Sequence, residues 1–165
     1  NLATLYGLMG RREKEVGMYE QAIAVDSTNA LPWINLAVEY HKMGDEERAW
    51  AAADKASGLI EDNDYLAAVD PDVLASATSI NGFTGNVEKT RQYAAEAFRR
   101  KTDDPMLIYS LACGLALAGD RDGAFDYLHK AVAAGYADRR ALQDDPDLDG
   151  IRENPRFEQV LDSIR

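Results

Sequence analysis

Residues 144–157 read DDPDLDGIRENPRF. Asp145, Asp147 and Asp149 alternate, and Gly150 follows. That is how a twelve-residue calcium loop opens, with carboxylate oxygens at every second position and a glycine at the sharp turn. The loop also needs a bidentate glutamate at its twelfth position. Counted from Asp145, the twelfth residue is Arg156, with Pro155 beside it. Asp145, Asp147 and Asp149 are therefore an incomplete calcium candidate, and no other metal or cofactor is expected. Other reactive residues are sparse. The chain has two histidines, His41 and His129, and one cysteine, Cys113. Cys113 lies in the apolar run LACGLALAG, with no implied base or basic neighbour to make it a thiolate. No phosphate-binding glycine loop, nucleophile elbow or paired-histidine motif occurs. The expectation is a chain that is not an enzyme.

Composition bounds the rest. At 165 residues with 46% hydrophobic and 28% charged, the chain reads as one globular domain or part of one. A net charge of −11 argues against nucleic acid, whose phosphates need a basic face. It suits basic or neutral partners. One cysteine permits no intrachain disulfide, which leaves the compartment open. No apolar run reaches the length of a membrane span. The first residues, NLATLYGLMG, already read as mid-helix, so the expectation is a piece of something longer.

Four segments align on a glycine: LATLYGLMG, INLAVEYHKMG, SATSINGFTG and YSLACGLALAG. The glycines are Gly10, Gly44, Gly85 and Gly119, spaced 34, 41 and 34 residues apart. A second amphipathic pattern starts after each one, so each glycine is read as the left-handed turn between two antiparallel helices. Asp70-Pro71 and Asp104-Pro105 read as an N-cap followed by proline at the first helical position.

A repeated helix pair of 34 residues resembles the tetratricopeptide repeat. The second unit carries the pattern best, with Trp33, Leu36, Ala37, Tyr40, Ala49 and Ala56. The first keeps Leu2, Ala3, Tyr6, Tyr19 and Ala22 but departs at Glu15. The fourth keeps Leu111, Ala112, Ala124, Leu128 and Ala131. The third departs at Thr78, Asn81 and Thr90. The resemblance implies an all-α, right-handed α-solenoid of about four such helix pairs plus a C-terminal capping helix. Residues 1–136 hold the repeats: 1–29 (partial), 30–61, 71–104 and 105–136, with an acidic insertion at 62–70. Residues 137–165 form the cap, in which Leu142, Leu148 and Ile151 pin the connecting segment. Phe157, Val160, Leu161 and Ile164 form the apolar face of an end helix begun by Asn154-Pro155. The tail is similar to those that follow such arrays in many bacterial proteins, where the aspartates cap short turns and Arg152 or Arg156 pairs with them.

In that family the first helices line a concave groove. Carried over, the partner-binding residues are Leu8, Leu31, Ile34, Val38, His41, Lys42, Phe83, Met106, Tyr109 and Leu117. The groove is mostly apolar. The expected function is a non-catalytic protein–protein interaction scaffold, binding a peptide or helix that is amphipathic or basic. On this reading Ile34→Glu or Tyr109→Glu abolishes binding without unfolding the chain. The family's grip on a free C-terminal carboxylate is not expected, because Asp72 and Ser76 stand where its basic pair would be. Two alternatives stay open: a self-assembling subunit of a homo-oligomer or filament, and a regulatory domain attached to an enzyme. Bacterial cytoplasm, periplasm and extracellular space all remain possible locations.

Overall fold

The computed structural model describes residues 2–61, 70–101 and 103–164, with side chains from residue 10 onward. The chain divides into two compact units, Asn1–Val69 and Asp70–Arg165. The described residues are helical, with no strand among them.

The first unit holds α1 (Leu2–Val25), α2 (Ala30–Lys42) and α3 (Glu46–Glu61). The second holds α4 (Pro71–Phe83), α5 (Val87–Arg100), α6 (Pro105–Leu117) and α7 (Arg121–Ala133). Its tail follows as α8 (Arg139–Asp144), a 3-10 turn at Pro146–Leu148, α9 (Asp149–Arg152) and α10 (Pro155–Ser163). Within the units α2 packs on α3, α4 on α5 and α6, and α6 on α7.

The turns explain the pairs. Gly44, Gly85 and Gly119 have φ of 76°, 76° and 81°, a conformation that glycine adopts without a Cβ penalty. Each closes a Schellman-type C-cap: the N–H groups of Asp45, Asn86 and Asp120 donate to the carbonyls of Tyr40, Asn81 and Leu115, each at 2.9 Å. The residue after each glycine then caps the next helix. Asp45 accepts from the Arg48 amide, Asn86 from Lys89 and Asp120 from Gly123.

Gly10 is different. The helix α1 runs through it without a break, so the first repeat is one long helix and not the helix pair that its glycine predicts. The physical reason is the next residue. Arg11 cannot cap a new helix as Asp45, Asn86 and Asp120 do. It pairs instead with Glu15 one turn on, at 3.1 Å, which supports helix continuation. Conversely, Gly135 has φ 108° and ends α7, a turn the glycine alignment missed.

The repeat cores are built from alanine. Ala37, Ala49 and Ala56 are fully buried in the first unit, as are Ala77, Ala97, Ala112, Ala124 and Ala131 in the second. Small side chains let paired helices approach closely. The departures in the third repeat are accommodated by bonds within their own helices. Thr78 Oγ1 donates to the Leu74 carbonyl at 2.8 Å, Asn81 Nδ2 to Ala77 at 2.9 Å, and Thr90 Oγ1 to Asn86 at 2.7 Å. The acidic insertion falls at residues 62–69, outside the described residues, apart from Asp70, which caps α4.

Asp120 joins two helices as well as capping one. Its carboxylate accepts Arg91 Nε at 2.6 Å and Nη2 at 2.8 Å, and the Gly123 amide at 3.2 Å. Arg91 is the main cause that holds this carboxyl below the ordinary aspartate range. Asp120→Ala should cost about 1–3 kcal/mol at neutral pH, from the lost cap and charged hydrogen bonds. A lowered folded pKa contributes stability that is full above the unfolded value and is lost as pH falls. Melts of the variant and parent should therefore differ at pH 7 and converge as pH drops below about 4.

Candidate functional site: the first-helix faces and the tail that covers one of them

The tail folds back onto α6. Tyr109 Oη donates to Asp145 Oδ2 at 2.6 Å, and the Tyr109 ring stacks on Tyr136 with centroids 4.4 Å apart. Cys113 Sγ lies 3.8 Å from the same carboxylate oxygen. Gly150 approaches the Ala116 carbonyl. Tyr109, Cys113 and Ala116 lie three and four residues apart on one helical face, and the tail buries all three. Leu142, Leu148 and Ile151 are buried as predicted, and so are Phe157, Val160 and Leu161. Asn154 caps α10 by accepting the Arg156 amide. Arg156 then reaches α7, donating to Asp122 at 2.6 Å with its guanidinium 4.4 Å from the Phe125 ring centroid.

The alternating aspartates thus serve the fold. Asp145 Oδ1 accepts the Asp147 amide and caps the 3-10 turn, while Oδ2 accepts a hydrogen bond from the Tyr109 hydroxyl. Asp149 pairs with Arg152 at 2.6 Å, which removes it from any shared site with the other two. Among the described residues, the group close enough to share an ion is Cys113, Asp145 and Asp147, with ligand atoms within 4.8 Å of one another. Burial, then the charge on Asp145, pushes the Cys113 thiol well up, so without a metal it stays protonated. Burial likewise pushes Tyr109 up, so its phenol is a proton donor. Among the described residues, Asp149 is not grouped with Asp145 and Asp147 at that distance.

The expected groove residues divide sharply. Ile34 is fully buried and Tyr109 is 7% exposed, so neither presents a surface to a partner. Leu31 and Met106 are exposed, Met106 at 61%. Val38, Phe83 and Leu117 are half-buried. His41 is half-buried and pairs with Glu46, while Lys42 is exposed and pairs with Glu39. The Leu8 side chain lies outside the described residues. His129 is exposed on α7.

Two clefts remain. In the second unit, the first helices α4 and α6 flank a cleft of about 320 Å³. Asp72, Ser76 and Ser79 line it from one side and Met106 and Ser110 from the other, with Asp104 at the end. Lys101 bridges Asp72 and Asp104. This part of the groove is serine-rich and acidic, where the sequence predicts a mostly apolar surface. In the first unit, a cleft of about 320 Å³ lies between Ile23, Trp33, Leu36, Tyr40 and Ala52. Its rim is polar: Tyr40 donates to Glu20 at 3.2 Å, and Arg48 stands 4.5 Å over the Tyr40 ring. Sequence reasoning missed it. The signal was Trp33 and Tyr40 seven residues apart on one face.

Residues 18–51, from the last turns of α1 through α2 into α3, match the family model described as tetratricopeptide repeat. That match spans one repeat, and the rest of the chain is similar to the family in fold alone. Two solved structures share the fold across 99% of this chain. One is YrrB, described as a TPR protein with an unusual peptide-binding site: 15% identity, TM-score 0.56, 81% of that chain covered. The other is MamA, at 14% identity, TM-score 0.57 and 92% coverage. No curated protein matches the sequence. The matched window begins in α1, so its last turns stand where a repeat's second helix would. No helix among the described residues is long and apolar enough to cross a membrane.

Proposed function

We propose that this chain is a non-catalytic scaffold of the tetratricopeptide-repeat type, holding a short segment of another protein between α4 and α6. The observation that carries this reading is the open cleft lined by Asp72, Ser76, Ser79, Met106 and Ser110. Short side chains let a bound backbone come close. The hydroxyls of Ser76 and Ser110 now donate to their own helix carbonyls at 3.0 and 3.1 Å, and can turn to a ligand. Met106 supplies a flexible apolar anchor. The acidic rim and a net charge of −11 favour a segment with basic residues. YrrB, which shares the fold, is described as having a peptide-binding site, which supports the class of ligand and not its identity.

The test is a panel of displayed peptides followed by fluorescence titration. A basic peptide that binds the parent should lose roughly tenfold or more in affinity with Met106→Arg or Ser79→Arg. Met106 is exposed and Ser79 is half-buried on the cleft wall, so the melting temperature should hold for Met106→Arg and fall little for Ser79→Arg. Binding that ignores both substitutions would put the ligand elsewhere and sink this reading.

A further inference from the structure

We infer that Lys101 is a built-in competitor for the α4–α6 cleft, holding against Asp72 and Asp104 the place that an arginine of the bound segment takes. This deepens the peptide-cleft reading and rests on it.

Asp72 lies in the first turn of α4, Asp104 caps α6, and both line the cleft. Asp104 is fixed by its cap: Oδ1 accepts the amides of Met106 and Leu107, each at 3.0 Å. Its Oδ2 is 2.9 Å from Lys101 Nζ. The same ammonium stands 3.3 and 3.4 Å from the two oxygens of Asp72. Lys101 reaches them from the end of α5, where it is the C-cap. The carboxylates that face the cleft are thus the ones that hold it. Two carboxylates and one ammonium leave a negative charge at this end. Among the described residues, those lining the cleft include no cation.

The Lys101 contacts are unequal. The bond to Asp104 is short, whereas both contacts to Asp72 are longer than a charge-assisted hydrogen bond of about 2.7–2.9 Å. One ammonium set evenly before two oxygens serves neither well. A guanidinium is flat and presents two parallel N–H groups, which both oxygens of one carboxylate accept together. The place before Asp72 is therefore filled by Lys101 but better matched by arginine. Lys101 is also easily displaced. Its side chain is 35% exposed and that of Asp72 is 68% exposed, and exposed pairs hold weakly. With an arginine seated there, the rest of the segment runs toward Ser79 and Ser110, about two turns farther along the same helices.

Fluorescence polarisation with labelled octapeptides of serine and leucine tests this. One arginine is placed at each position in turn, with lysine and glutamine versions of each peptide. The tightest arginine peptide should lose roughly threefold with lysine and roughly tenfold or more with glutamine. Lys101→Met should tighten the arginine peptide roughly three- to tenfold and leave the glutamine peptide within about twofold. Lys101→Arg, which keeps the charge and fits Asp72 better, should weaken the arginine peptide roughly threefold. Both variants should melt close to the parent, because the ion pairs they alter are partly exposed. A Lys101→Met variant that tightens arginine and glutamine peptides alike would reflect bulk charge and overturn the proposal. So would a Lys101→Arg variant that binds like the parent, or a series of which no member binds. Peptides that lose affinity with Met106→Arg yet ignore both Lys101 variants leave the cleft reading standing and sink this one. Peptides that ignore Met106→Arg place the ligand elsewhere and sink both.

Discussion

Ile34→Glu should unfold the first unit before it affects any ligand. Ile34 has no exposed surface, and it sits among a core that is otherwise mostly alanine, with Leu36, Tyr40 and Ile60 as its larger members. A carboxylate there loses the apolar burial of isoleucine and must either ionise without a partner or take up a proton. The combined cost is about 4 kcal/mol or more, a large share of what a domain of this size has in reserve. Amide exchange is the direct measurement. Amides of α2 and α3 should lose protection in the variant at temperatures where the parent is fully protected. A variant that exchanges and melts like the parent would mean that position 34 lies open, as the groove reading has it. Tyr109→Glu should behave similarly in the second unit. It breaks the bond to Asp145, removes the stack on Tyr136, and sets a second carboxylate against the first. Neither substitution can serve as a probe of binding. Met106 and Ser79 can.

The same contrast shows how far the sequence can be read. Helix pairing was legible because it is local. Gly44, Gly85 and Gly119 turn the chain, and an aspartate or asparagine caps the next helix immediately afterwards. Gly10 has the glycine without the cap, and Arg11 next to it was the signal that the helix would continue. Gly135 lies outside the repeat register, so aligning repeats could not find it, although Asp138 three residues later does cap α8. The tail's apolar anchors were legible by spacing, because any last repeat leaves a face to cover. Which face the tail covers was not. Tyr109 and Asp145 are 36 residues apart, and nothing local says that the phenol of one meets the carboxylate of the other. That long-range contact turns one expected groove position, Tyr109, into core, together with Cys113 and Ala116 on the same face. What is left open is the serine-lined remainder, whose residues look unremarkable in sequence because they do no packing.

Gly82→Ala should cost about 2–3 kcal/mol, and Gly10→Ala should instead add about 0.5–1 kcal/mol. The substitution is identical and both glycines lie within helices, so backbone propensity favours alanine at each. Space decides the sign. A Cβ on Gly82 would stand 2.3 Å from the carbonyl oxygen of Gly114 and 3.1 Å from Leu117 Cβ. Those atoms belong to the backbone and the root of a side chain, so no rotamer change relieves the clash. The helices α4 and α6 must move apart. Gly114 is just as tightly held from the other side, where a Cβ would stand 2.8 Å from Thr78 Cγ2. Separating the two helices would also loosen the packing of Thr78, which is fully buried. It would widen the serine-lined cleft too, since the same two helices form its walls. Thermal melts should show the Gly82→Ala transition falling by roughly 10–20 °C, given the usual few degrees per kcal/mol for a unit of about this size. A peptide held between α4 and α6 should bind the variant more weakly even well below its melting point. If Gly82→Ala melts with the parent, α4 and α6 do not cross this closely, and the cleft between them has a different shape from the one described.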